Sequence, residues 1–518
     1  MTIYANVPEL GLSEGDAQQH FDRLQERLEG LWPTISEVND DEQTIVVIPS
    51  VSLEFDLKGS EMQAYEERFL FLLLLLRQPS ARVVYVTSQP VRDELVDYYL
   101  ALLPGVIPSH ARERLFMLSI GDPEPIALTA KILRRPRFIE KIRSLILDPR
   151  MAHMVPYNTT TNERDLSIRL GIPMYGCDPK HEPLGTKSGG RKIFTRAGVP
   201  HPTGFEDLNQ LDQVFEAVRE LKSKNPACPA VMVKHDAGVS GEGNAMVDLK
   251  GLDGSVSAKD IEDRVRNMTL EKASLGFDGF MEKFERLNGI VEERIVADAV
   301  TSPSVQLRIT PFGKVELLST HDQLLGGPSG QSYLGCIFPA SDEYATAIAR
   351  EAEKIGQQLV GEGVIGRFAV DFLTAKRGDS WDAFAIELNL RKGGTTHPFL
   401  TLQFLTDGRY DWESNRFLTA AGDRKCFIAS DHIESESIRL LEVHDLFDIA
   451  VRNRLHFDAA TQKGMVLHMM SCVGDCGRFG LTAVADDPEE AEALYQRTYK
   501  IFLDEADRAA KSNPIPPA

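Results

Sequence analysis

The sequence predicts a multidomain chain built from α/β and α+β units. Three observations carry that expectation. The chain has 518 residues, more than one compact core ordinarily holds. Apolar strand runs alternate with helical patterns over residues 44–147, which argues for a parallel sheet with crossover helices. Between residues 230 and 389, apolar runs face each other across short polar turns, the pattern of antiparallel hairpins.

Composition sets the outer limits. Hydrophobic content of 42% and charged content of 26% are ordinary for a globular protein. A net charge of −20 disfavours nucleic acid and anionic membrane surfaces as partners, but leaves room for a local basic pocket. The longest apolar run, residues 69–76, is closed by Arg77 and is too short to span a bilayer. The opening MTIYANVPELGLSEGDAQQ has no basic segment leading into an apolar core, so a cytoplasmic location is expected. Cys177, Cys228, Cys336, Cys426, Cys472 and Cys476 are too scattered for a disulfide framework. Cys472 and Cys476 are expected to be inert thiols, since no second pair or His spacing supports zinc.

In order, residues 1–43 form a helical extension, with Phe21, Leu24, Leu28 and Leu31 at helical spacing. Strands are expected at 44–49, 82–87 and 115–120, and helices at 61–77, 90–103 and 127–147. Residues 44–185 thus resemble a Rossmann-like half, yet no G-x-G-x-x-G follows a strand, which disfavours a dinucleotide. The next unit opens on GTKSGGRK, Gly-rich and basic but without the Walker A spacing. A strand over 230–233 then ends in Lys234. The loop Gly238-Val239-Ser240-Gly241-Glu242-Gly243 and a strand over 245–247 follow, a hairpin whose loop N–H groups can close over phosphates.

A second hairpin is expected from 304–309 and 314–318, turning at Pro311-Phe312-Gly313. The polar, Gly-rich stretch 319–331 reads as a loop, and 344–360 as an amphipathic helix. Phe368-Ala369-Val370 then leads into Asp371, and Phe384-Ala385-Ile386 into Glu387. The polar turn 376–379 between them predicts a third hairpin with the two acids close together. Glu387 and Asn389 alternate with Leu388, so they share a face. Two carboxylates and an amide oxygen suit a hard cation such as Mg²⁺, although one acid beside a strand is usually only the solvated side of a sheet. Arg391, Lys392 and Gly393-Gly394-Thr395-Thr396 follow as a cradle for phosphate. The remainder reads as an α+β appendage, with helices at 438–453 and 488–509 and a strand at 464–470.

Together these elements resemble the ATP-grasp superfamily. More closely, they resemble the peptide ligases of the pheganomycin type, through LGTKSGGRKIFTRAGVPHP, SPSVQLRITPFGKVELLSTHDQLLGGPSGQSYLG, GVIGRFAVDF with IELNLRKGGTTHPF, and YEERFLFLLLLLRQPSARVVYVTS. The resemblance covers most of residues 60–500. It implies a pre-ATP-grasp domain at 44–185, a central subdomain at 186–290, a C-terminal subdomain with the metal site at 291–420 and an α+β domain at 421–518. It also implies a carboxylate–amine ligase that makes an amide through an acyl phosphate, releasing ADP and phosphate.

By that resemblance Lys187 and Lys234 contact ATP phosphates, and Gly238, Ser240, Gly241 and Gly243 belong to the loop that covers them. Glu292, Glu293 and Ile295 lie where adenine and ribose are held, with Glu293 and Asp298 both open as the ribose acid. Asp371, Glu387 and Asn389 hold Mg²⁺, with Mn²⁺ as an alternative. Arg308 and Arg391 face the phosphoryl group or the carboxylate. Arg308 or His321 stabilises the oxyanion, or His321 orients the acceptor or merely packs, and the 319–331 loop closes over the acyl phosphate. The expected partners are ATP, a carboxylate donor and an amine or peptide acceptor, with a homodimer as a family-level expectation. A ligase for small amino acids, and an ATP-binding regulatory or scaffold protein without turnover, are the alternatives.

Overall fold

The computed structural model describes residues 7–37, 39–53, 60–238, 243–326, 330 and 332–512. Strands Gln43–Ile48, Ala81–Thr87, Leu115–Ser119 and Ala152–Pro156 form a four-stranded parallel sheet with the first strand inside. Its strands are apolar on both faces for a reason. Ile45, Val47, Val83 and Tyr85 enter one core, and Val46, Ile48, Val84 and Val86 enter another, so both sides are covered.

Two expected helices are interrupted. The one read over 61–77 is an α-helix, Ser60–Glu67, followed by a 3₁₀ helix, Leu70–Arg77. Glu66, Glu67 and Arg68 are buried polar groups held by specific partners, which a continuous apolar stripe could not accommodate. The one read over 127–147 splits at Pro136, which has no N–H to donate and starts the second helix, Pro136–Ser144.

The middle of the chain forms a five-stranded antiparallel sheet ordered Gly204–Leu208, Gly289–Glu293, Ala230–His235, Asn244–Asp248 and Thr269–Leu270. Beyond it lies an eleven-stranded sheet. Its centre is strand Pro303–Ile309, flanked by Val315–Gly326 and by Gly366–Arg377. Strand Ser380–Asn389 closes the expected third hairpin, with Asp371 directly opposite Glu387. Among the strands the sequence reading missed are Arg424–Glu434 and Arg478–Ala485. They extend this sheet through Ser332–Phe338, so the C-terminal segment shares its β-structure with the middle of the chain. Helix Pro488–Ser512 packs on those added strands.

Cys472 is buried, with its Sγ 3.6 Å from the Ser60 carbonyl oxygen, and Cys476 lies 3.5 Å from Ser60 Oγ. Burial pushes the Cys472 thiol above its usual range, so it resists forming the reactive thiolate. Replacing both with Ser is expected to lower the melting temperature while leaving nucleotide turnover within a few-fold. Thermal melts and ADP release check this.

Candidate functional site

A cavity of about 960 Å³ lies where the three sheets meet. Tyr157 comes from the parallel-sheet domain, Met232 and Lys234 from the five-stranded sheet, and Asp371 and Glu387 from the large sheet. The volume is at the upper end for a small-molecule site.

Helix Lys187–Ala197 brings in the first cation. Thr186 caps it by accepting from Gly189 N–H at 3.0 Å. The glycine pair in GTKSGGRK is explained by close approach. A Cβ on Gly189 would fall 1.9 Å from the Pro183 carbonyl oxygen, and one on Gly190 would fall 3.3 Å from Leu388 Cβ. The helix start is thereby pressed against strand Ser380–Asn389. Lys187 Nζ donates to Glu387 Oε1 at 3.1 Å and to the Gly238 carbonyl oxygen at 3.3 Å. Asp236, just past the Lys234 strand, accepts from Ser188 N–H and Oγ–H at 2.9 and 2.8 Å and ties the two cation-bearing elements together.

The second cation is part of a buried network. Lys234 Nζ donates to Glu292 Oε1 at 2.6 Å, and Arg191 Nη1 donates to Glu292 Oε2 at 2.8 Å. Glu292 is 2% exposed. It is held by two cations and is a poor candidate for the ribose hydroxyls, although it lines the cavity. Glu293 and Ile295 also line it, with Glu293 accepting from Asn225 Nδ2 at 3.2 Å. Gly238 lines the cavity, and Gly243 lies against the His235 ring; Ser240 and Gly241 fall outside the described residues.

Asp371 Oδ1 accepts from Gln323 Nε2 and Asp371 Oδ2 from Asn389 Nδ2, both at 3.0 Å. Burial, reinforced by the neighbouring Glu387 charge, pushes the Asp371 carboxyl up to about 6. Burial also acts to raise Glu387, but Lys187 and Arg391 outweigh it and hold Glu387 below the usual range. Two oxygen-rich carboxylates forced together, one destabilised as an anion, with an amide beside them, form a donor set suited to a hard divalent ion. Arg391 lines the same cavity.

The expected roles of four residues, and of one loop, do not match this geometry. His321 is fully buried in strand Val315–Gly326, not in a loop, and does not line the cavity. Its ring packs among Phe338, Phe399 and Phe427, Nε2 pairs with Ser319 Oγ at 2.8 Å, and burial lowers its pKa to about 3. Arg308 is four residues along its strand from Ser304, the partner of Asp371, which is about 13 Å at strand rise. Its guanidinium is engaged by Glu316 at 2.6 Å and lies over the Trp32 ring. Asp298 is outside the cavity lining and caps a turn, accepting from Gly378 N–H at 3.2 Å. Lys392, expected in the phosphate cradle, instead donates to the Pro156 carbonyl oxygen at 2.6 Å. Of the stretch expected to close as a loop, 319–326 is strand, while 327–329 and 331 fall outside the described residues.

His321→Ala is accordingly expected to cost stability, about 3 kcal/mol on the scale of large-to-small core truncations. Turnover per folded molecule should stay within a few-fold. Chemical denaturation read beside ADP release separates the two, and a large loss of turnover at intact stability would restore His321 to the chemistry.

Asp236, Arg191, Gln323 and Ser304 were not singled out from the sequence. Each is one polar residue in an ordinary context, and only the packing of distant elements brings them to the site.

Comparison with known proteins agrees with this architecture. A family model described as IQCH-like, ATP-grasp matches residues 181–276 and 271–413, and a model of the PGM1 C-terminal domain matches residues 445–498. The L-propargylglycine–L-glutamate ligase of Streptantibioticus cattleyicolor is 29% identical over 448 residues, 84% of this chain and 89% of that protein. IQ motif-containing protein H of Danio rerio is 25% identical over 426 residues, 72% of this chain but 40% of that protein. Among solved structures, the ADP complex of N5-carboxyaminoimidazole ribonucleotide synthetase aligns with a TM-score of 0.52 at 12% identity, covering 91% of this chain and 100% of that one. An ATP-analogue complex of Campylobacter jejuni biotin carboxylase aligns with a TM-score of 0.54 at 15% identity, covering 91% and 97%. At these identities the structural likeness is one of fold.

Proposed function

We propose that the chain is an ATP-grasp protein and works as an ATP-dependent carboxylate–amine ligase that forms an amide bond and releases ADP and phosphate. The observation that carries the reading is the convergence, on one cavity, of Lys187 and Lys234 with Asp371, Glu387, Asn389 and Arg391.

The chemistry needs such a set. A carboxylate oxygen is a poor leaving group, so the γ-phosphoryl of ATP is first transferred to it, and the amine then attacks the acyl carbon and expels phosphate. Phosphoryl transfer asks the protein for positioning and charge stabilisation rather than covalent help. Lys187 and Lys234 supply compact cations for phosphate oxygens. Arg391 supplies a forked donor beside the two carboxylates. Met232 and Ile295 line the cavity and would suit a base, and Glu293, which also lines it, would be the acid for the ribose. Mg²⁺ held by Asp371, Glu387 and Asn389 would neutralise charge on the phosphates. The other half of the cavity, lined by Tyr65, Arg68, Tyr157, Tyr333 and Arg478, is where carboxylate and amine would meet. Its walls come from residues far apart in sequence, which suits a two-substrate site.

The Streptantibioticus relative is an L-propargylglycine–L-glutamate ligase, which favours amino acids or short peptides as donor and acceptor. We place the enzyme in specialised metabolism on the same likeness. The test is ADP release across a panel of amino acids and dipeptides, with products read by mass spectrometry. Amide product formed only when both a carboxylate and an amine are present supports the reading. ATP binding without ADP release under any pairing favours the non-catalytic alternative.

A further inference from the structure

Asp431, in the wall of the cavity, belongs to a second cluster to which the ligase chemistry above assigns no role. His397 from helix Thr396–Thr406, Asp431 from strand Arg424–Glu434 and His468 from strand Gly464–His468 are all buried. His468 Nε2 is 2.8 Å from Asp431 Oδ1, the two Nε2 atoms are 3.1 Å apart, and His397 Nε2 is 3.6 Å from Asp431 Oδ1. Three donor atoms bound at about 2.0–2.1 Å around a tetrahedral ion lie about 3.3 Å from one another, and these separations bracket that value.

Hydrogen bonding alone satisfies the cluster poorly. Two Nε2 atoms at 3.1 Å cannot both carry protons, so at most one Nε2–H serves the three converging atoms. The Gly394 backbone also engages the His397 ring, leaving Nε2 to face the cluster. The surroundings are shaped for the convergence. The ladder between Arg424–Glu434 and Arg478–Ala485 shifts register between Ser430 and Ile433, a bulge that re-aims Asp431. On Gly480 any Cβ would come 2.1 Å from His468 Nε2, so only glycine admits the ring. Arg68 Nη1 binds the other Asp431 oxygen at 2.7 Å and orients the carboxylate, as partners behind metal ligands commonly do.

We propose that His397, Asp431 and His468 form a site for one transition-metal ion of the zinc class, joining the C-terminal segment to the cavity wall. Two imidazoles and a carboxylate suit Zn²⁺ and not Mg²⁺. The site is separate from Asp371, Glu387 and Asn389.

The full-length protein, stripped with a chelator and dialysed, is titrated with Zn²⁺ and, separately, with Co²⁺. One equivalent of Zn²⁺ retained through gel filtration is expected, with visible Co²⁺ absorption of the intensity given by a four-coordinate site. Retention should fall at least about tenfold in His397→Gln and in His468→Gln, and persist in Glu387→Gln. Melting curves confirm that each variant is folded, and the Co²⁺ spectrum of the unmutated protein does not depend on the variants. Absence of a retained equivalent, a Co²⁺ spectrum of the hexaaqua ion, or equal retention in the folded His variants would overturn the proposal.

Discussion

Glu387→Gln is expected to lower ATP turnover by roughly two to four orders of magnitude, since the charge stabilisation at stake is several kcal/mol and each 1.36 kcal/mol is tenfold. The substitution keeps size and one acceptor oxygen, and removes one of the two anionic charges in the donor set. Glu387 is the cleaner of the two acids to change. Its side chain is 29% exposed and is steadied by Lys187 and Arg391, so loss of charge leaves no uncompensated buried anion. Asp371 accepts from two amide N–H groups, and Asp371→Asn would set an NH₂ against one of those donors. Such a variant would mix a folding defect with a chemical one. Removing Glu387 also relieves the repulsion that helps raise Asp371, so the Asp371 carboxyl should move down from about 6. ADP release at saturating substrates, a Mg²⁺ titration of that rate and a melting curve form the measurement. Near-normal ADP release by a folded variant would mean that the strand pair Gly366–Arg377 and Ser380–Asn389 does not hold the reacting phosphates.

That hairpin was legible because its signal is local. The side-chain period of a strand places Glu387 and Asn389 on one face whatever the rest of the chain does, and the polar turn sets the register that puts Asp371 opposite. Lys234 was legible likewise, as a charge at the end of a buried strand. The residues misread share a different cause. Ser319, Thr320 and His321 looked like loop because they are polar, but their strand is buried and their polarity is satisfied from afar, with Gln306 bridging His321, Thr395 and Thr396. The role of Arg308 comes from the family resemblance, and only the register reveals that it lies at the end away from Asp371. Strand Arg424–Glu434 pairs with the distant Ser332–Phe338, and Arg478–Ala485 joins the sheet only through it, a partnership no window of sequence displays. Propensity and periodicity specify the elements, while long-range register decides which polar residues meet.

Lys234→Ala is expected to weaken ATP·Mg²⁺ binding by about 1.5–3 kcal/mol, the range for hydrogen bonds to charged groups, or roughly one to two powers of ten in affinity. Turnover should fall further, because charge on the phosphoryl oxygens redistributes in the transition state. The structure adds a complication to this variant. Lys234 is 7% exposed and shares Glu292 with Arg191, so its removal leaves Glu292 beside a single buried cation. Breaking a buried pair outright costs about 3–5 kcal/mol, and the remaining Arg191 contact should keep the loss below that. Stability and affinity must therefore be read separately. Glu292→Gln supplies the control, since it disturbs the same network while leaving the Lys234 ammonium in place. If Lys234 serves phosphate, Lys234→Ala loses both stability and affinity, whereas Glu292→Gln loses stability and keeps most of the affinity. Lys234→Arg should recover stability without full affinity, because a planar fork fills space that a compact ammonium leaves to the nucleotide. Calorimetric titrations run well below the melting temperature of every variant make the comparison. Equal ATP affinity in Lys234→Ala and the unmutated protein would reduce Lys234 to a structural partner of Glu292, and the phosphates would have to be placed against Lys187 and Arg391 alone.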